Sequence, residues 1–320
     1  MRIVIVTPAP PGSRAGNRVT ALRWAKLLRS LGHRVTVCSE YHGRRYDLLI
    51  ALHASKSFAA MKAAREKAPD MPIVLALTGT DLYGAIHTDA NAQKALHWAK
   101  RLILLQPKGI DELPRPLRRR ARVIYQSVDP PRVKGKPKND DFRVCVIGHL
   151  RPVKDPMRTA WAARLLPEES RIRVLHIGSA LTEELADAAR HEQETNPRYR
   201  WLGELPRTKA LQILATCHLL SLTSKSEGGA NVISEALMVD VPVVSSRIDG
   251  SIGLLGKSYP GYFPYADTQA LADLMYRAEK DSRFYKRLQN ACRRKRHLFE
   301  PEEERRRWKE VLAELLPDVK

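Results

Sequence analysis

The four cysteines, Cys38, Cys145, Cys217 and Cys292, form no C-x-x-C pair. Their dispersal excludes a cysteine zinc site and a disulfide framework, and it suits reduced thiols in the cytoplasm. No apolar run approaches the roughly 18–20 residues that span a bilayer, so stable membrane insertion is not expected. The first apolar run, within Met1–Pro8, is too short for a signal peptide and reads as an opening strand. Acidic residues are also scarce: 35 Asp and Glu stand against 55 Lys and Arg, a formal charge of +20. The loop after the first strand, Pro8–Asn17, holds Gly12 and Gly16 but no G-x-G-x-x-G, so a dinucleotide fingerprint is unsupported. No short-period repeat occurs.

Hydrophobic residues make up 43% of the chain, enough for real cores. The charge is lopsided. Residues 1–136 carry 25 basic and 9 acidic side chains, and residues 137–320 carry 30 and 26. Two domains follow from length and charge together, and the basic first domain implies an anionic partner: nucleic acid, a membrane surface or a phosphorylated small molecule.

Strand and helix signals alternate in both parts. Strands are predicted at 2–7, 33–39, 47–52, 72–77, 101–105 and 122–125, with helices at 17–31, 55–68 and 88–99. The pattern lapses over 128–141, which is rich in Pro and Lys and reads as a linker. It resumes with strands at 142–147, 172–177, 217–222 and 241–245. Helices are predicted at 154–165, 182–194, 206–214, 230–239, 267–280, 282–297 and 301–316. The expected fold is α/β: two doubly wound, Rossmann-like domains, 1–127 and 142–297, facing across a cleft, followed by a C-terminal segment, 298–320.

Three segments carry chemistry. In Ser226–Leu237, Glu227 and Glu235 stand eight residues apart where a strand turns into a helix. Gly228 and Gly229 let a ligand approach the backbone. The amides at Ala230, Asn231 and Val232 suit phosphate. Such a site would hold a sugar hydroxyl at Glu227, a diphosphate at the amides and a ribose at Glu235. The bland alternative is a glycine-rich helix start with two solvated glutamates. The second segment, Gly148–Pro156, places Gly148, Arg151 and Lys154 directly after a strand, where cations would stabilise a departing diphosphate; a solvated surface loop is the alternative. The third is the Gly12–Gly16 loop, either an ordinary turn or a cover over a ligand.

Together these segments resemble the retaining, metal-independent nucleotide-sugar glycosyltransferases of GT-B fold, family-4 type. The resemblance covers nearly the whole chain. It includes the C-terminal helix, which in that fold crosses back to the first domain. Glu227 and Glu235 match the E-x7-E pair, serving the donor sugar and the ribose, and Lys154 matches the lysine of the G-R-L-x-x-x-K loop. Leu202, Gly12 and Gly16 complete the expected donor set. Two positions depart from the pattern. His149 stands where the loop has Arg, leaving Arg151 or Lys225 to supply the charge, and Thr78-Gly79-Thr80-Asp81 stands where the family has H-G-x-D.

Leu52–Ser57, Leu77–Tyr83, Gly148–Pro156 and Glu227–Val232, with Gly253–Gly256 and Tyr259–Tyr262, look more narrowly like the selenosugar synthases of selenoneine biosynthesis. That resemblance implies a UDP-sugar donor (UDP-N-acetylglucosamine or UDP-glucose), no cofactor, and selenophosphate as acceptor. Selenophosphate is small, multiply anionic and already nucleophilic, so it needs a cationic pocket more than a general base. Candidate acceptor residues in the basic domain are Arg14, Lys56, His53, Thr78, Gly79, Thr80 and Asp81. His53 has a structural alternative, and Asp81 would either contact the sugar or cap the next segment.

The rivals are a glycosyltransferase with a lipid or polysaccharide acceptor, and a nucleic-acid-binding protein. The basic runs 115–122 and 293–297 lack the interleaved aromatics that stack on bases and read as solvated faces, so no nucleic-acid partner is expected.

Overall fold

The structure is a computed structural model that describes residues 1–13, 15–79, 81–129 and 141–315. Most of the expected linker, residues 130–140, lies outside the described residues. The chain divides into two compact units, one of Met1–Ser127 with the C-terminal segment from Pro301, the other of Val128–Glu300.

The first unit holds six parallel strands: β1 (Arg2–Val6), β2 (Arg34–Cys38), β3 (Leu48–Leu52), β4 (Ile73–Leu77), β5 (Arg101–Leu104) and β6 (Ala121–Val123), in the order β2-β1-β3-β4-β5-β6. Every residue of β3 and β4 is buried, as expected for strands covered on both faces. Alternation divides their side chains between two cores. Leu49, Ala51, Leu75 and Leu77 face one layer. Leu48, Ile50, Leu52, Val74 and Ala76 face the other, with Trp24 and Trp308.

Trp308 brings the helix Pro301–Leu315 onto this second face, its ring edge-on to Trp24 at 4.9 Å between centroids. Glu304 fixes the dock. Fully buried, it accepts hydrogen bonds from Trp24 Nε1 at 2.7 Å, Arg23 Nε at 3.2 Å and the Ser127 amide at 3.1 Å. The acids at 303 and 310 behave differently, forming surface pairs with Arg306 and Arg307 along the helix.

The second unit repeats the architecture with β7 (Phe142–Ile147), β8 (Ile172–Ile177), β9 (Tyr199–Trp201), β10 (Leu219–Leu222), β11 (Val243–Ser246) and β12 (Tyr262–Phe263), in the order β12-β11-β10-β7-β8-β9. The chain winds outward from β7 through β8 to β9, then returns to place β10 on β7's other side. The topology therefore reverses between β7 and β10, and in the first unit between β1 and β3. Ligands of such sheets bind at the carboxyl ends of the strands flanking the reversal.

Some predicted elements change. The helix expected at 154–165 runs only over Arg158–Arg164, because Asp155 takes a left-handed φ of +45° and Pro156 follows it. The helix expected at 282–297 stops at Arg293. The short strands β9 and β12 and the helix Asp249–Leu255 were not predicted, having too few residues for a clear period. In the 115–122 run Arg115, Arg118 and Arg119 are exposed, as expected of a solvated face, yet several of its guanidinium groups are bonded to the protein. Arg118 donates to the carbonyls of Asp111 (2.8 Å) and Leu113 (3.0 Å), Arg120 to those of His97 (3.1 Å) and Ala99 (3.2 Å), and Arg122 pairs with Glu314 at 2.8 Å.

Candidate active site

The two loops that flank the second unit's reversal are stitched together. Thr223, just past β10, donates through Oγ1 to the carbonyls of Lys154 and Asp155, both at 2.9 Å, and the Lys225 amide donates to the Val153 carbonyl at 2.9 Å. Asp155 is held by Arg158 at 2.8 Å. These bonds bring Lys154 onto Glu227, 73 residues away in sequence, in an ion pair. Ser224 Oγ donates to the same carboxylate oxygen at 2.6 Å. Ser246 holds the Ser224 carbonyl at 2.6 Å from the end of β11. Gly250 lies so close beneath Glu227 that a Cβ there would come within 2.0 Å of the Glu227 carbonyl oxygen. The carboxylate–ammonium pair is thus fixed from three neighbouring strand ends.

Gly228 is buried and Gly229 half-buried, ahead of the helix Asn231–Met238, whose first turn offers the Asn231 and Val232 amides after Ala230. Glu235 lies in that helix, buried, and pairs with Arg207 at 2.8 Å. Arg151 is exposed beside the Gly148 loop. Leu202 follows β9, half-buried, and its amide donates to the His176 carbonyl at 2.8 Å.

His149 does not supply the cation expected of its position. Burial, joined by the positive Arg151 and Lys154 and opposed by Glu204, holds its imidazole below the ordinary histidine range. Its Nδ1 is turned to Ser179, accepting from the amide at 3.2 Å and meeting the hydroxyl at 2.8 Å.

In the first unit, His53 directly follows β3 and Thr78 directly follows β4. His53 is buried with a left-handed φ of +76°, a conformation uncommon outside glycine, and its Nδ1 receives only a long 3.4 Å bond from the Lys56 amide. Burial lowers its pKa, against the pull of Asp81. Lys56 is exposed. Asp81 is fully buried, and its two carboxylate oxygens are taken by the amides of Ala54 and Gly79, both at 2.9 Å. It therefore ties together the loops after β3 and β4, with both oxygens bound to residues that precede the segment it was expected to cap. Thr78 Oγ1 donates to Asn17 Oδ1 at 2.6 Å, tying β4 to the first helix, which begins at Gly16. Gly12 turns the preceding loop with φ +83°. Arg14 and Thr80 lie outside the described residues.

Sequence reasoning missed Ser224, Arg207, Gly250, His176 and Asn17. Ser224 adjoins the glutamate motif and was the most accessible; the others meet their partners within each unit only through tertiary contact. Among the described residues no three His, Cys, Asp or Glu side chains gather to hold a metal, and no helix is long and apolar enough to cross a membrane.

Residues 129–295 match the family model of the glycosyl transferases group 1. TuaC of Bacillus subtilis (strain 168), a glycosyltransferase provisionally assigned to teichuronic acid biosynthesis, is 23% identical over 269 residues, which is 81% of this chain and 68% of TuaC. Among solved structures, Anabaena HepE with UDP and glucose superposes with a TM-score of 0.79 at 19% identity, covering 98% of this chain and 100% of HepE. The sucrose-phosphate synthase of Thermosynechococcus elongatus also gives 0.79, at 15% identity and 98% coverage of both chains. At such identities these structures establish the two-domain GT-B fold.

Proposed function

Because the chain belongs to the group 1 glycosyl transferases, we propose that it transfers a hexosyl group, N-acetylglucosamine or glucose, from a UDP-sugar to selenophosphate. Selenium forms the new bond to the anomeric carbon as the bond to the diphosphate oxygen breaks, and UDP leaves with that electron pair. Water then cleaves the phosphorus–selenium bond, releasing phosphate and leaving a 1-selenosugar.

The observation that best supports the donor half is the Lys154–Glu227 ion pair at the second sheet's reversal. Lys154, with Arg151 and the Asn231 and Val232 amides, meets the growing negative charge on the diphosphate, the term that usually dominates such catalysis. Glu227, steadied by Ser224 and Gly250, orients the sugar. Glu235, aligned by Arg207, takes the ribose hydroxyls. HepE, captured with UDP-glucose, has the same fold and lends this donor class further support. No metal is needed, since the protein's own cations and amides answer the charge.

The acceptor half draws on the narrower sequence resemblance and on the basic first unit. Thr78 and Gly79, held by Asn17 and Asp81, and the exposed Lys56 are the residues proposed to receive selenophosphate. A lipid or polysaccharide acceptor is the second reading, favoured by the similarity to TuaC, and it leaves the donor residues unchanged.

Release of UDP from each UDP-sugar, followed with and without selenophosphate, tests the proposal. Release should require selenophosphate and fall roughly 10²–10³-fold in a folded Glu227→Ala variant. Flotation on anionic vesicles together with selenophosphate-independent turnover would support the second reading instead.

A further inference from the structure

His176 sits inside β8, only 1% exposed, and both of its ring nitrogens are engaged. Nε2 lies 3.2 Å from the Gly148 carbonyl oxygen and Nδ1 lies 2.9 Å from the Tyr199 hydroxyl. A carbonyl can only accept, so Nε2 carries the proton and Nδ1 accepts from Tyr199. Burial pushes the imidazole down to about 4, leaving it neutral with one donor and one acceptor. The same Gly148–His149 peptide is packed from another side by Gly178. A Cβ on Gly178 would fall 2.0 Å from the Gly148 oxygen and 2.9 Å from the His149 nitrogen. The Gly178 carbonyl is held in turn by Trp201 Nε1 at 2.8 Å.

A trans peptide points its C=O and its N–H in opposite directions. Drawing the Gly148 carbonyl toward His176 therefore turns the His149 N–H away from the sheet interior. The neighbouring amides of Gly148 and Leu150 are used by Ile177 and Ser179, at 2.9 and 2.8 Å, whereas the His149 amide has no acceptor among the described residues. We infer that the His149 N–H is a diphosphate contact of the donor site, and that His176, backed by Tyr199, is the positioning residue that aims it. The residue standing in the arginine position of this loop thus serves through its backbone, while its side chain is turned to Ser179. The inference rests on the UDP-sugar reading above.

Calorimetric titration with UDP and with uridine separates this role from a merely structural one, because uridine lacks the diphosphate. His176→Phe should weaken UDP binding roughly tenfold, the scale of one charge-assisted hydrogen bond, and leave uridine binding unchanged. His176→Gln, which keeps an amide donor, should recover most of the loss. Tyr199→Phe should show a smaller loss, again confined to UDP, and carries the test if His176→Phe does not fold. Equal weakening of UDP and uridine, or UDP binding as tight as wild type in Tyr199→Phe and both His176 variants, would overturn the assignment while leaving the donor reading intact. Wild-type protein that binds neither compound would instead overturn the donor reading itself.

Discussion

Removing Lys154 and Glu227 singly and together probes whether the two act as a unit. Their side chains are only 20% and 11% exposed, so solvent screens the pair incompletely. At contact distance, with an effective dielectric constant near 20, two unit charges attract by about 4 kcal/mol. Desolvation offsets much of this, and coupled neighbours usually retain a net ~1–3 kcal/mol. Urea unfolding of Lys154→Ala, Glu227→Ala and the double variant should therefore show the double losing about 1–3 kcal/mol less stability than the two singles combined. In UDP-release assays each single variant should lose roughly 10²–10³ in kcat, and the double should be little worse than the poorer single. Strict additivity in both stability and turnover would refute the idea that they form one functional pair.

Gly250→Ala forces a methyl group into the space of the Glu227 carbonyl; kcat should fall about 10²-fold by displacement of the glutamate, measured as UDP release, and urea unfolding should show a loss of about 1–3 kcal/mol from the forced backbone shift. Glu304→Ala leaves Arg23, Trp24 Nε1 and Ser127 without their shared buried acceptor, so urea unfolding should reveal a loss of about 3–5 kcal/mol. His176 is held neutral at about 4 in the folded chain, whereas an unfolded histidine titrates near ~6.5. The unfolded state therefore binds the extra proton first as pH falls, and stability is lost from about 6.5 downward. Lowering the pH from 7 to 5 should remove about 2 kcal/mol through this residue, a component that His176→Phe should eliminate.

Much of the architecture was legible because buried parallel strands such as Leu48–Leu52 and Ile73–Leu77 are continuous apolar runs, and the helices between them show a clear period. Two- and three-residue edge strands carry no such signal, which is why β9 and β12 were missed. The glutamate motif and the Gly148–Lys154 loop could be read locally, since each is a strand end followed by a turn. Their meeting could not, because it depends on β10 returning to lie beside β7. For the same reason Gly250, beneath Glu227, and Arg207, against Glu235, are silent in sequence. His149, where the family's loop has Arg, has its ring turned to Ser179, a contact that no local pattern announces. His176 offered one faint signal, a lone imidazole within the apolar run Val174–Ile177.

Transfer of a hexosyl group from a UDP-sugar to selenophosphate leaves a product that no lipid or polysaccharide acceptor gives. Mass spectrometry of the products formed from UDP-N-acetylglucosamine or UDP-glucose with selenophosphate tests it most directly. UDP, phosphate and a selenium-containing hexose should form in equal amounts, and Glu227→Ala should make them roughly 10²–10³-fold more slowly. UDP formed without any selenium-bearing sugar, or a hexose transferred only to a lipid or saccharide, would contradict it.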